Sequence, residues 1–367
     1  MATTSTLQRD LISMNTIPEP RMLAMGLGGA GNDLLTHLMD NGSDGVYCIA
    51  ADTDRYHLQI ARAHSKLLIE SELASDSGTE GDADAGRDAA LQAAESFRRT
   101  FEGADLVFIL VGMGGGTGSG AAPVLSDLAG RNGSLAVGVI TMPSRFESST
   151  YRTAIESIRR MLNTCDTVIL VDDQSSAMSF TLPFGLNPDG AGQACCSIVS
   201  SIAHTHRDTS LLNSDSNALR SLLRRGGLAK VRVGNSYSPW GPEEAVLAVM
   251  RNTMPFGHLS DTRGIFIDIV DGGSLTDAAV GAALDLLTRH LGPQAELLCA
   301  RRMDEKLQGT TRVLLLATGI GFPYSWGGYR RVPIDIYDLE PESCEDESVD
   351  LALDLQQLED SSHSANL

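Results

Sequence analysis

Lysine is almost missing from this chain. Of its 28 basic residues only Lys66, Lys230 and Lys306 are lysine, against 47 acidic residues and a net charge of −19. That shortage excludes two things. No basic stripe is available to track a phosphate backbone, so nucleic acid is not expected as a partner. No lysine follows the glycine runs described below, so the GxxxxGK[ST] phosphate loop is absent. An acidic, lysine-poor surface suits a cytoplasm of molar salt, where like charges are screened within a few ångströms. A salt-loving source is therefore expected, with an ordinary acidic protein as the alternative.

Other absences narrow the class further. No apolar run approaches the ~20 residues that cross a bilayer, and no secretory signal opens the chain, so a cytoplasmic protein is expected. The six cysteines show no CxxC spacing. Free buried thiols are the expectation, and a zinc site or disulfide framework is not. The eight histidines show no ligand spacing either.

What is present is glycine, concentrated where it matters. Gly112-Met-Gly-Gly-Gly-Thr-Gly-Ser-Gly120 follows the apolar run Leu106–Val111, which reads as a buried strand. Beyond Pro123, the residues Val124, Leu125 and Leu128 have helical spacing. A strand, a glycine loop and a helix start together form an anion site. Glycines turn several N–H groups inward, and the helix adds roughly half a positive charge at its N-terminus. Thr117 and Ser119 add hydroxyls. Without a lysine, the phosphates must be held by backbone and a metal. The alternative, a flexible linker, sits poorly beside a buried strand.

The rest of the chain alternates strand and helix. Strands are expected at Met22–Met25, Gly45–Ala50, Leu135–Thr141 and Thr167–Val171, with helices through Leu34–Leu38, Arg87–Phe101, Ser149–Leu162 and Ala191–His204. This pattern predicts a parallel sheet with ligands at the carboxyl ends of its strands. Composition changes near Leu228. Strands from Val231, at Gly264–Val270, Ala295–Arg301 and Thr311–Thr318, with helices at Pro242–Met250 and Ala278–His290, make a second α/β domain. The expected organisation is a flexible arm at 1–20, a nucleotide-binding domain at 21–185 and a central helix with its following loop at 186–225. A C-terminal domain at 226–322 and an acidic tail at 323–367 complete it. The tail's last apolar stretch, Val349–Leu355 with Leu358, is either a partner-binding amphipathic segment or a frayed end.

A second glycine run, Gly26-Leu-Gly-Gly-Ala-Gly31, matches the dinucleotide fingerprint, with Asp52 and Asp54 some twenty residues on. Alone it would suggest an NAD-dependent enzyme. Two glycine loops on neighbouring strands better suit a nucleoside di- or triphosphate with magnesium.

The pair GLGGAGN (Gly26–Asn32) and GMGGGTGSGAAP (Gly112–Pro123) resembles the tubulin/FtsZ superfamily of GTP-binding filament proteins, on its FtsZ side. Asp52-Thr-Asp54, Gly81–Arg87, Gly138–Pro143 with Glu147, and Ala317–Gly321 follow in family order, so the likeness runs from about Arg21 to Phe322. It implies a Rossmann-like GTPase domain with a parallel sheet, a central helix and a smaller α/β C-terminal domain, from an archaeal, halophilic source. It also implies GTP or GDP, Mg²⁺ with K⁺ as a second candidate ion, and head-to-tail filaments in division or cell shape. Further candidate partners are a related FtsZ and a membrane adaptor on the tail, and the division site is a candidate location.

Carried over by position, Gly28, Gly29, Gly114, Gly115, Gly116, Thr117, Gly118 and Ser119 fit phosphate binding, with Asn32 closing the first loop. Asp52 and Asp54 fit the loop near the phosphates and metal. Glu147 fits the ribose-contacting glutamate, while the expected arginine is Tyr151, with Arg152 one step late. The base-reading positions depart from the family: Asp33 and Asp173 stand where asparagine is usual, and Gly192 or Gln193 where the central helix carries Asp or Asn. The cross-subunit loop, Asn-x-Asp-x-x-Asp/Glu in the family, reads Asn213-Ser-Asp215-Ser-Asn217-Ala218 here. The second acid is alanine. A positioned base contributes ~10²–10⁴-fold, so slow hydrolysis or none is expected from Asp215, with Asn213 and Asn217 as the polar partners. The alternatives are a non-hydrolysing paralogue that regulates a typical FtsZ, or a plain polar turn before a helix at Leu219–Arg224.

Overall fold

The computed structural model describes residues 21–43, 45–70, 78–143, 148–171, 190–207, 216–224, 226–237, 241–251, 259–273, 275–307, 309–322 and 326. The N-terminal arm lies outside these residues, as does the acidic tail apart from Trp326. So do Glu147, Asp173, Asn213 and Asp215.

Strand β1 (Met22–Leu27) leads into α1 (Gly28–Asn41), β2 (Val46–Asp52), α2 (Arg55–Ile60) and β3 (Ser65–Leu68). Next come α3 (Ala83–Gln92), α4 (Ala94–Phe101), β4 (Leu106–Gly112), α5 (Gly116–Arg131) and β5 (Leu135–Thr141). Helix α6 (Ser148–Thr164), β6 (Thr167–Val171), α7 (Gly190–Arg207) and α8 (Ser216–Arg224) follow. The remainder is β7 (Gly227–Ser236), α9 (Gly241–Arg251), β8 (Gly264–Asp271), α10 (Asp277–Thr288), β9 (Glu296–Met303) and β10 (Thr311–Thr318).

All ten described strands form one sheet in the order β3-β2-β1-β4-β5-β6-β7-β10-β8-β9. From β3 to β7 every pairing is parallel. β10 runs antiparallel to both of its neighbours, and β9 is parallel to β8. Sequence explains the central strands: Leu106–Val111 is apolar at every position, as a parallel strand covered on both faces must be. Leu23, Met25, Val107 and Ile109 pack on one face with Leu125 of α5 and Ile158 of α6. Ala24, Phe108 and Leu110 pack on the other with Leu35 of α1 and Ile198 of α7. The registers Leu27↔Ala51, Leu27↔Val111 and Gly112↔Thr141 bring the carboxyl ends of β1, β2, β4 and β5 to one edge.

Several boundaries differ from expectation, each for a physical reason. Helix α5 starts at Gly116, inside the glycine run, and carries Pro123 within it. Proline has no N–H for the carbonyl four residues back, and that carbonyl, Ser119 O, instead accepts from Ser157 Oγ at 2.6 Å. The segment expected as one helix from Arg87 is two, broken at Ala93, and begins earlier because Asp82 caps it through Asp84 N and Ala85 N. α2 and the four-residue β3 are additional elements.

The free cysteines Cys48, Cys165, Cys195, Cys196 and Cys299 are buried, as expected. Burial pushes the thiols of Cys48, Cys165 and Cys196 up to about 12, which leaves them unreactive at neutral pH. No described helix is long and apolar enough to cross a membrane.

Candidate functional site

Two helices begin at the carboxyl edge of the sheet without a side-chain cap. α1 starts behind Leu27 and α5 behind Gly115, and neither has an acidic residue in its first turn. At α2, α3 and α10 the chain does supply caps, whereas α4, which continues directly from α3, has none. Asp54 accepts from Tyr56 N (2.7 Å) and His57 N (3.2 Å) at α2, and Thr276 accepts from Ala279 N (3.2 Å) at α10. The uncapped first turns of α1 and α5 leave N–H groups for an external acceptor, and their dipoles favour an anion.

Backbone geometry aims both turns at one place. Gly114 holds φ +99°, and a Cβ there would strike Thr150 on the first turn of α6. Gly28 holds φ +67°, and a Cβ there would lie 3.2 Å from Gly118 N, so the two glycine loops touch. Ser119 Oγ accepts from Gly114 N at 2.8 Å and fixes the second loop from beneath.

Between the loops lies a cavity of about 460 Å³. Gly28, Gly29 and Gly115–Gly118 form its floor, and Asp52, Asp54 and His57 one wall. The turn at 78–81, the end of β4 at Gly112 and Met113, and the segment 141–143 at the end of β5 also line it. Thr117 Oγ1 lies 2.6 Å from Thr53 Oγ1 and 3.3 Å from Thr79 Oγ1, so buried hydroxyls tie α5 to both neighbouring segments.

Asp52 is 2% exposed. Its Oδ2 accepts from Asn32 Nδ2 (3.2 Å) and its Oδ1 from Asp54 N (3.2 Å). Burial pushes this carboxyl above its ordinary range, with the Asp54 amide pulling the other way. Asn32 therefore acts behind the cavity, orienting Asp52, and its own buried Oδ1 has no hydrogen-bond partner among the described residues. No described group of three His, Cys, Asp or Glu side chains is gathered to hold a metal. A cation here would draw most of its ligands from phosphate oxygens and water, as Mg²⁺ commonly does.

The structure thus brings together Gly28, Gly29, Asp52, Asp54, Gly115, Gly116, Thr117 and Gly118, with Gly114, Ser119 and Asn32 in support. Other expected residues stand outside the cavity lining. Asp33 is exposed on α1, and Gln193 is half-buried on α7, next to Gly192, which packs on His37 of α1. Arg152 is exposed on α6, beside Tyr151, whose hydroxyl accepts from Trp326 Nε1 at 2.7 Å. Asn217 lies exposed in the first turn of α8, because that helix starts at Ser216 rather than Leu219. His57, Thr53, Thr79 and the 141–143 segment were not among the expected site residues. Thr53, inside the Asp52-Thr-Asp54 motif, and the 141–143 segment, at the carboxyl end of a predicted strand, carried a sequence signal, and His57 and Thr79 carried none.

A family model described as the GTPase domain of the tubulin/FtsZ family matches residues 21–178. The cell division protein FtsZ 2 of Methanocaldococcus jannaschii is 34% identical over 310 residues, covering 83% of this chain and 81% of that protein. FtsZ 2 of Halobacterium salinarum is 30% identical over 304 residues, covering 82% of this chain and 77% of that protein. Among solved structures, an empty FtsZ dimer from M. jannaschii superposes with a TM-score of 0.76 at 28% identity, over 85% of this chain and 92% of that one.

Proposed function

The chain belongs to the tubulin/FtsZ family, and on that premise we propose that it binds GTP and GDP and assembles head to tail into cytoskeletal filaments, serving cell division or cell shape with slow hydrolysis or none. One observation carries the reading: two uncapped helix N-termini close on a single cavity at the carboxyl edge of a parallel sheet. The first-turn amides of α1 and α5 would hold the phosphates, with Thr117 positioned by Thr53 and Thr79. Asp52 and Asp54 line the phosphate end of the cavity, where Mg²⁺, if bound, would offset the phosphate charge. Glu147 and Arg152 remain candidates for the sugar, and Asp33, Asp173 and Gln193 for the base.

Catalysis in this reading needs a second copy, whose Asp215 loop completes the site. A head-to-tail contact of this heterologous kind leaves open ends and propagates. Ala218 stands where the family carries its second acid, and its half-buried methyl packs against the core beneath α7. That substitution favours slow turnover, and it equally favours the second reading, a non-hydrolysing paralogue that modifies the filaments of a typical FtsZ.

Phosphate release from GTP, measured against protein concentration in molar KCl with Mg²⁺, separates them. Turnover rising more steeply than concentration is expected if subunits complete each other's sites. A flat, near-zero line with nucleotide bound rules out hydrolysis completed by a second copy and favours the paralogue. Absence of bound nucleotide overturns both.

A further inference from the structure

The cavity has an electrostatic imbalance. Its described lining includes Asp52, Asp54 and Glu80 but no lysine or arginine, and His57 is the one described side chain there able to carry positive charge. The position of His57 is fixed by its surroundings. Asp54 caps α2 through the His57 amide, which locks the residue into the first turn. The ring then folds back over the α1 loop, where a Cβ on Gly29 would lie 3.1 Å from its Nδ1. Glycine at 29 therefore leaves the room that the imidazole occupies. Nδ1 stands 3.6 Å from Asp54 Oδ2, and the side chain is 50% exposed. Nε2 makes no hydrogen bond to a described residue.

A surface pair between His57 and Asp54 would by itself contribute little. It would not explain why the ring lines the cavity, or why the loop beside it gives way. Strand order supplies the orientation. The wall from β2 and α2 is polar, whereas Met113, Met142 and Pro143 belong to the β4–β5 side, two and three strands away. The polar wall suits the outer phosphates.

Resting on the nucleotide reading above, we propose that His57 is a phosphate-contacting residue, donating an imidazole N–H to a β- or γ-phosphate oxygen. It sets how strongly the site distinguishes nucleotides by phosphate number, a task given elsewhere to lysine or arginine.

The test is competition of GTP, GDP and GMP against a fluorescent GTP analogue, in wild type, H57A and H57Q, with thermal unfolding of each ligand-free protein alongside. H57A is expected to weaken GTP, GDP or both by about tenfold, the scale of a lost charge-assisted hydrogen bond at a half-exposed site, and GMP by under twofold. H57Q, which keeps an N–H donor, is expected to fall between wild type and H57A. Unchanged affinities in H57A, or an equal loss for all three nucleotides, overturns the assignment while the nucleotide reading stands. Failure of the wild type to bind any of them overturns both.

Discussion

Asp268 on β8 is buried beneath α7, where its Oδ2 accepts from Ser201 Oγ (2.5 Å) and Arg302 Nε (2.9 Å) while its Oδ1 has no hydrogen-bond partner among the described residues. Burial raises its pKa above the ordinary 3.8, and the Arg302 charge opposes that rise without cancelling it. The sign of the consequence follows. In the window between 3.8 and the raised value, the folded chain holds a proton that the unfolded chain has lost. Stability from this group therefore falls as pH climbs through the window, then levels off. In Asp268→Asn the side chain cannot titrate, yet its oxygen still accepts from Ser201 and Arg302. Urea unfolding of both proteins at stepped pH is expected to show the variant gaining on wild type through that window and holding its gain above it. A difference that ignores pH would mean the Arg302 pair governs the site. At this scale the sequence was readable where a residue's chemistry depends on its own backbone, as at Gly28 and Gly114. It was silent where chemistry depends on partners from distant segments, as with Asn32 on Asp52 or Thr79 on Thr117.

Helix α5 shows why elements were only partly legible. β4 and the glycine run could be recognised because an unbroken apolar strand and clustered glycines admit few readings. The start of α5 could not, because glycine and proline both argue against helix when propensity alone is weighed. Packing reverses the argument. A Cβ on Gly120 would strike Ala83 O, and one on Gly86 would strike Gly116 O, so α3 and α5 approach along glycine faces that any side chain would separate. Pro123 is tolerated because Ser157 reaches the carbonyl it leaves free. Ser157→Ala is thus expected to cost about 1–3 kcal/mol, the usual penalty for an abandoned buried acceptor. In a Pro123→Ala background the restored N–H can serve Ser119 O, and the same change should cost distinctly less. A double-mutant cycle by chemical unfolding measures that coupling, and additive effects would mean water or another donor satisfies Ser119. The short β3 and α2 escaped notice for a plainer reason: four and six residues give too little periodicity to register.

The whole molecule is governed by its charge. With −19 on 367 residues, carboxylates repel one another across the surface. The described ion pairs are mostly exposed Arg–carboxylate contacts, such as Arg99–Glu95 and Arg98–Glu95. Salt acts on both terms in opposite directions. Exposed pairs contribute ~0–1 kcal/mol each and weaken when screened. Net repulsion is longer-ranged, and the Debye length falls from about 10 Å at 0.1 M to about 3 Å at 1 M. Because acidic residues outnumber basic ones 47 to 28, the repulsive term should dominate. The urea midpoint is therefore expected to rise steadily from dilute to molar KCl, with NaCl at equal strength giving much the same rise. Guanidinium, itself a salt, would mask the effect. A midpoint that falls with KCl would show that the arginine pairs outweigh the net charge. A rise confined to strongly excluded salts such as sulfate would point to apolar burial instead.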